Sequence, residues 1–596
     1  MGELSPGTLP AVNASETRLD SWKEIATYLN RDVTTVQRWE RREGMPVHRH
    51  VHDKRGSVYA LPEELDVWMQ SRRLSEVDPE IPAEAEILSI DQSPKGATAR
   101  GKLRLWLVLT AVLCVCSLVA AWFAVRHRTM ATAEPRIQSL AVLPMTNLSG
   151  DPAQQYFADG MTEEVIGRLS MIRGLRVISR TSVMQFRNTQ RSVPEIAKML
   201  HADGIVEGSV MREGDHIRVH AQLINGATDQ HIWSESYDSE LRDMLALESE
   251  VAEAIARRVA VTVTGEERAR LVGAREVSPD VYESYLKGRG AIAGANSRAE
   301  IEKSVTYFEE AIRKDATFAP AYVGMAAAYG KLGTIRVGAM PPNEARQKVI
   351  SADRKALELD PNLAEAHAQL AFVDMQHWQW RDAEAEYRRA LELNPNDSWA
   401  YDGFGGGWLM LQGRMDEALV MSRRALELDP LGQAGTNLGW VLFHARRYDE
   451  SIRELRSVIA VHPDDANALT VLGQVLTCKG QTQEAISLLE KTVSMTDRAP
   501  GSIEWLAVAY ARAGRRADAL RLIDELKQRL KTSYVPPAVF VFPYVELGDY
   551  DQAFAWLERA YQEQSNILMF LRVAPFFDPV RNDPRFKDLL RRVGLN

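Results

Sequence analysis

The sequence predicts a multidomain, mainly α chain: a helix-turn-helix followed by a β-hairpin, a single transmembrane helix, a small α/β domain and an α-solenoid. Three observations predict it. TTVQRWERREGMPVHRH at 34–50 reads as a polar helix leading into alternation, LWLVLTAVLCVCSLVAAWFAV at 105–125 carries no charged side chain, and proline-ended segments recur late in the chain with a fixed period. At 596 residues several domains are required. The net charge of -9 excludes a protein that coats nucleic acid with its whole surface. Residues 18–73 hold eleven Lys and Arg against nine Asp and Glu, so any basic excess is local.

The amino-terminal module, residues 18–73, begins with WKEIATYL, in which Trp22, Ile25, Ala26 and Leu29 share one helical stripe. Asn30 and Arg31 break the pattern, and Val33, Val36 and Trp39 start a second stripe. The opposite face of that second helix carries Thr34, Thr35, Gln37, Arg38, Arg41 and Arg42, side chains that hydrogen-bond base edges or pair with phosphate. VHRHVHDKRGSVYAL then alternates as two strands around Asp53 to Gly56, a wing that would place Arg49, Lys54 and Arg55 on phosphate. Trp39 is expected in the core. His48, His50 and His52 lack a carboxylate or cysteine at ligand spacing, so no metal site is predicted and a solvated or phosphate-facing role is expected for them.

This stretch of about 55 residues resembles the winged helix-turn-helix domains of the MerR and excisionase class. The resemblance implies base contacts from the second helix and backbone contacts from the wing. No coiled-coil dimerisation helix follows, so the module leaves the oligomer open, a homodimer included. Residues 74–103, broken by proline and glycine, are expected to be a flexible linker.

Residues 105–125 are long enough, at 1.5 Å per residue, to cross a bilayer of about 30 Å. The expectation is a single-pass inner-membrane protein with its amino terminus cytoplasmic and its carboxy-terminal domains periplasmic or otherwise extracytoplasmic. Cys114, Cys116 and Cys478 have no zinc or disulfide spacing.

From 137 to 265 strands and helices alternate: IQSLAVLPM, MTEEVIGRLSMI, LRVIS and VPEIAKMLHA precede a hairpin turning at Gly214 and Asp215. A strand around His231 to Tyr237 and a helix from about Leu241 complete the unit. LAVLPMTNLSGDPAQQYFADGMTEEVIGRLS, with the later hairpin, resembles the TolB amino-terminal-like (FlgO-like) domain, which implies binding or assembly and no catalysis. Asp159, Glu163 and Glu164 are read as acids favoured at a helix start, and no nucleophile, base and orienting group can be placed together.

Residues 280–596 copy themselves. Pro361, Pro395, Pro430 and Pro463 close successive units with gaps of 34, 35 and 33, the tetratricopeptide period. Ala371, Ala383 and Ala390 hold the small positions of one unit, Gly405, Ala418 and Ala425 the next, then Gly439, then Gly473 and Ala485. FGGGW at 404–408 is read as a small-residue helix position and not as a phosphate loop.

No catalytic residue, metal or cofactor is expected. In plan the chain is similar to membrane-anchored one-component transcription regulators of the ToxR type, with a different winged helix. Its expected partners are DNA through residues 18–73, the membrane through residues 105–125, and a protein or peptide on the solenoid. The alternative is an envelope interaction scaffold whose amino-terminal domain docks a protein instead of DNA.

Overall fold

The computed structural model describes much of residues 19–68 and, apart from residues 260–262, 273–275, 296 and 335–339, residues 137–595. They belong to two compact units, divided after residue 120.

In the first unit, α1 (Trp22–Tyr28) is capped by Ser21, whose hydroxyl accepts from the Glu24 N–H at 3.2 Å. A turn leads to α2 (Val33–Glu43). Ile25, Ala26, Val36 and Trp39 are buried together with Met45, Val58 and Leu65, a core assembled from residues spaced at three and four on the two helices. β1 (His48–Arg49) pairs antiparallel with β2 (Val58–Tyr59), and Leu19 bridges Ala60 beside them.

The second unit opens with a mixed sheet. β3 (Ser139–Val142) lies between β5 (Arg176–Val177) and β6 (Gly204–Glu213), parallel to both. β4 (Thr146–Asn147) also runs parallel to β6. β6, β7 (His216–Asn225) and β8 (His231–Glu240) continue as an antiparallel meander. Gly214, at φ 63°, supplies the left-handed residue that the two-residue β6–β7 turn needs. Ile217, Val219, Ala221 and Leu223 alternate inward on β7 and are fully buried. α3 (Gln155–Ser170), α4 (Val193–Leu200) and α5 (Met244–Arg258) complete the α/β part.

From α6 (Pro279–Ala293) onward the chain is helical, stacking antiparallel pairs. Ala371, Ala383, Ala390, Ala418, Ala425 and Ala485 are wholly buried between paired helices. A Cβ on Gly405 would sit 2.7 Å from Met421 Cβ and 3.0 Å from the Ala418 carbonyl, so the helices touch backbone to backbone there. A Cβ on Gly439 or Gly473 would instead meet a side chain, that of Leu455 or Leu489, each at 2.6 Å. Gly403–Leu409 winds as a π-helix, and the Trp408 indole donates to the Trp380 carbonyl at 2.7 Å. The FGGGW segment is thus packed helix. Pro395, Pro430 and Pro463 stand in the loops that end the repeats.

Two long-range seams tie this unit together. On the first, the buried Asn396 of a repeat loop donates to the carbonyls of Ser170, Ile172 and Leu175 at 3.0, 3.3 and 2.8 Å and accepts from the Val177 N–H. One repeat later Asp429 accepts from the Ser179 and Ser182 hydroxyls, and the Leu428 carbonyl accepts from the Ser179 N–H at 2.7 Å. The loops of consecutive repeats therefore grip the β5 edge of the sheet. On the second seam, the Trp380 indole donates to the Val593 carbonyl at 2.8 Å and Arg572 to the Gln412 carbonyl at 2.9 Å. Arg446 pairs with Asp578 at 2.7 Å, and Met569 and Val573 pack into the core that holds Trp408.

The membrane architecture requires correction. Among the described residues no helix is long and apolar enough to cross a membrane. The longest described helix, Pro342–Leu359, has 18 residues and carries Glu344, Lys348, Arg354 and Lys355, whereas a span needs about 20 consecutive, predominantly apolar residues. The buried apolar residues of these helices close onto neighbouring helices instead. The linker 74–103 and the apolar run 105–125 lie outside the described residues. The single-pass fold class, the membrane partner and the inner-membrane localisation are accordingly replaced by a mainly helical tetratricopeptide protein with a small sheet region.

Candidate nucleic-acid interface

α2 is set by the residue that precedes it. The Asp32 carboxylate accepts from the Thr35 N–H at 2.8 Å and the Thr35 hydroxyl at 2.7 Å, and also engages the Thr34 hydroxyl. These hydrogen bonds hold its carboxyl well below the usual range. Thr34 is exposed, but both threonine hydroxyls are committed to the cap. Sequence reasoning missed Asp32, although an aspartate just before an apolar-periodic run is an N-cap signal.

Val36 and Trp39 face inward, and Trp39 packs on Trp68 with ring centroids 5.6 Å apart. That phase leaves Arg38 exposed and Gln37 half-buried. Arg41 and Arg42 lie in the last turns of α2, and Arg49 lies on β1 opposite Val58; their side chains are outside the described part. Lys54 and Arg55, at the expected wing tip, lie outside the described residues.

The His48 side chain, expected to be solvated or phosphate-facing, is 42% exposed and has a carboxylate neighbour. Its Nε2 lies 2.7 Å from Glu64 Oε2, and its ring stacks on Tyr59 at 5.1 Å, tying the strand pair to the following segment. His50 and His52 lie outside the described residues, and among those described no group of His, Cys, Asp and Glu could hold a metal.

The acids of the α/β part also differ from expectation. α3 starts at Gln155, so Asp159, Glu163 and Glu164 sit in its second and third turns and not at its start. Asp159 pairs with Arg187 at 2.6 Å. Glu163 is half-buried, which raises its carboxyl, yet Arg289 and Arg180 outweigh this and hold it below the usual range. Burial pushes Glu164 upward, and it accepts from the Tyr285 hydroxyl at 3.1 Å. Burial, with Glu164 nearby, raises Glu248 to about 8 and outweighs the Arg168 guanidinium at 3.2 Å. Tyr282 also donates to Glu248, and Arg289 reaches Glu365 of the solenoid at 3.1 Å. Each carboxylate has a structural partner, so the cluster joins α3, α5 and α6 to the repeats.

Residues 136–254, the α/β segment, match the second domain of HilA/YgeH-like transcriptional regulators. Residues 364–397 and 436–503 match tetratricopeptide repeats. The chain is 34% identical over 261 residues, 42% of its length, to "Putative adenylate cyclase 3" of Rhizobium meliloti (strain 1021). It is 22% identical over 304 residues, 48% of its length, to Superkiller protein 3 of Schizosaccharomyces pombe. It spans 42% and 21% of the length of these two relatives. A solved structure of PilF from Pseudomonas aeruginosa aligns at 19% identity and a TM-score of 0.30, covering 40% of this chain and 98% of that one. The chain therefore joins a transcriptional-regulator domain to tetratricopeptide repeats, and neither of these domain types is enzymatic.

Proposed function

We propose that this chain is a DNA-binding transcriptional regulator whose α2 enters a DNA groove and whose repeats receive a protein or peptide partner. The observation that carries the reading is the phase of α2: Val36 and Trp39 lock one face into the core, so Arg38 and Thr34 stand outward. The match of residues 136–254 to a transcriptional-regulator domain supports the same class. In this reading Arg38, Arg41, Arg42 and Gln37 approach base edges or phosphates from the helix, with the Thr34 and Thr35 end leading. Arg49, Lys54 and Arg55 contact phosphate from the strand pair and its turn.

The test uses the full chain and DNA fragments selected by it from a random pool, read by fluorescence anisotropy. Arg38→Ala with Arg41→Ala is expected to weaken binding at least about tenfold. If both arginines meet phosphate, the salt dependence should flatten by about two in log–log slope. Selection that enriches no sequence, or unchanged affinity in the double variant, refutes the reading and favours a protein-docking role for this module.

A further inference from the structure

A cavity of about 780 Å³ lies between distant parts of the solenoid. One side is built by helices Ala319–Leu332, Pro342–Leu359 and Ala364–Gln376 together with Trp399, and the other by helix Pro500–Arg512 and residues 534–567. Its volume falls in the range of small-molecule sites, about 300 to 1,000 Å³. Much of the wall is aliphatic, contributed by Ala326, Val349, Val373 and Val539. Phe372 and Trp399 add exposed aromatic faces, their rings 6.0 Å apart.

Three polar side chains on this wall are at least nine-tenths buried: Arg346, Gln369 and Glu504, with 8%, 9% and 7% of their surface exposed. Arg346 spends one terminal nitrogen on Asn343 in its own helix, while its Nε meets no acceptor among the described residues. Gln369 Oε1 likewise has no donor. The other charges facing the space are engaged elsewhere: Glu365 by Arg289 at 3.1 Å, Glu563 by Arg559 at 3.3 Å and the Tyr534 hydroxyl at 2.9 Å, and Lys331 by the Ile292 carbonyl at 2.7 Å. Burial alone pushes the Glu504 carboxyl well above its ordinary range, which disfavours a negative charge on that side of the cavity.

We propose that this cavity binds a small monoanionic ligand with an apolar body, its carboxylate on Arg346 and its ring or chain against Phe372, Trp399 and the aliphatic wall. A guanidinium presents paired N–H groups that fit a carboxylate, and a buried charge-assisted pair is stronger than a neutral one. The site lies far along the chain from α2, and the inference does not rest on the DNA reading.

The test is titration calorimetry of the full chain with naphthylacetate and with its neutral amide, naphthylacetamide. Saturable binding of the acid at one site per chain is expected, with the amide at least about tenfold weaker. Arg346→Met should lose at least about tenfold in affinity. Trp399→Ala, at a half-exposed position that the fold tolerates, should lose about threefold or more from the apolar contact alone. No saturable binding by the wild type, equal binding of acid and amide, or undiminished binding by a folded Arg346→Met chain overturns the proposal. No DNA is present in the titration, so its failure and that of the DNA reading are separately visible.

Discussion

Replacing Asn396 with Ala should loosen the α/β part from the solenoid. The Asn396 amide has two hydrogens for three carbonyls, so the contacts at 2.8 and 3.0 Å are the bonds and the one at 3.3 Å shares a donor. Its oxygen is fixed by the Val177 N–H and by Arg424, each at 3.3 Å, which sets the orientation of the group. Truncation leaves two buried carbonyls and one N–H without partners, at about 1 to 3 kcal/mol each before water relieves part of the loss, so about 3 kcal/mol in total. The unfolding entropy is about 2.1 cal/mol/K per residue, which gives about 1 kcal/mol/K if a unit of about 460 residues melts together. Calorimetry of the full chain would then show a fall in Tm of about 3 °C. If the α/β part of about 125 residues melts alone, the same loss lowers its own transition by about 11 °C. Asn396→Asp should be worse, because a carboxylate oxygen would face the three carbonyls, and it should recover partly in acid. A shift below about 1 °C in both variants would refute the assignment of this side chain as the joint.

Three further outcomes are expected. Gly405→Ala should cost about 1 to 3 kcal/mol in denaturant melts, more than Gly473→Ala, because its Cβ meets backbone atoms where that of residue 473 meets only a leucine side chain. Glu248, raised by burial to about 8 from an ordinary 4.5, holds a proton in the folded chain that the unfolded chain releases. Its contribution is therefore full below pH of about 4.5 and lost as the pH rises to about 8, and Glu248→Gln should flatten that decline in Tm. The Cys478 thiol, pushed up to about 12 by burial, should be alkylated at pH of about 8 at least about 100-fold more slowly in the folded chain than in denaturant, read by peptide-resolved mass spectrometry.

What was legible in the sequence was periodic. Ile25, Ala26, Val36 and Trp39 announce two packed helices because spacings of three and four put them on one face. The alternation of Ile217, Val219, Ala221 and Leu223 announces a half-buried strand, and the proline spacing announces the repeats. The joints were not legible. Asn396 and Asp429 look like ordinary turn residues, since loops that end repeats are rich in Asn and Asp, and their partners lie more than 200 positions away. Asp159, Glu163 and Glu164 were placed at a helix start for the same reason: a carboxylate shows its charge in sequence but not the arginine or tyrosine that meets it. The membrane assignment leaned on one apolar run, while the apolar residues of the described helices are spent on helix-to-helix contact.

The clasp between Trp380 and Val593 bears on how the chain is made. A polypeptide leaving the ribosome at about 5 to 20 residues per second presents the indoles near residues 380 and 408 roughly 10 to 40 seconds before the last turn that covers them. During that interval the middle repeats hold an apolar flank open, so a chaperone arriving in that window would find its binding surface there, and a ribosome stalled before residue 566 would release a chain that cannot shut.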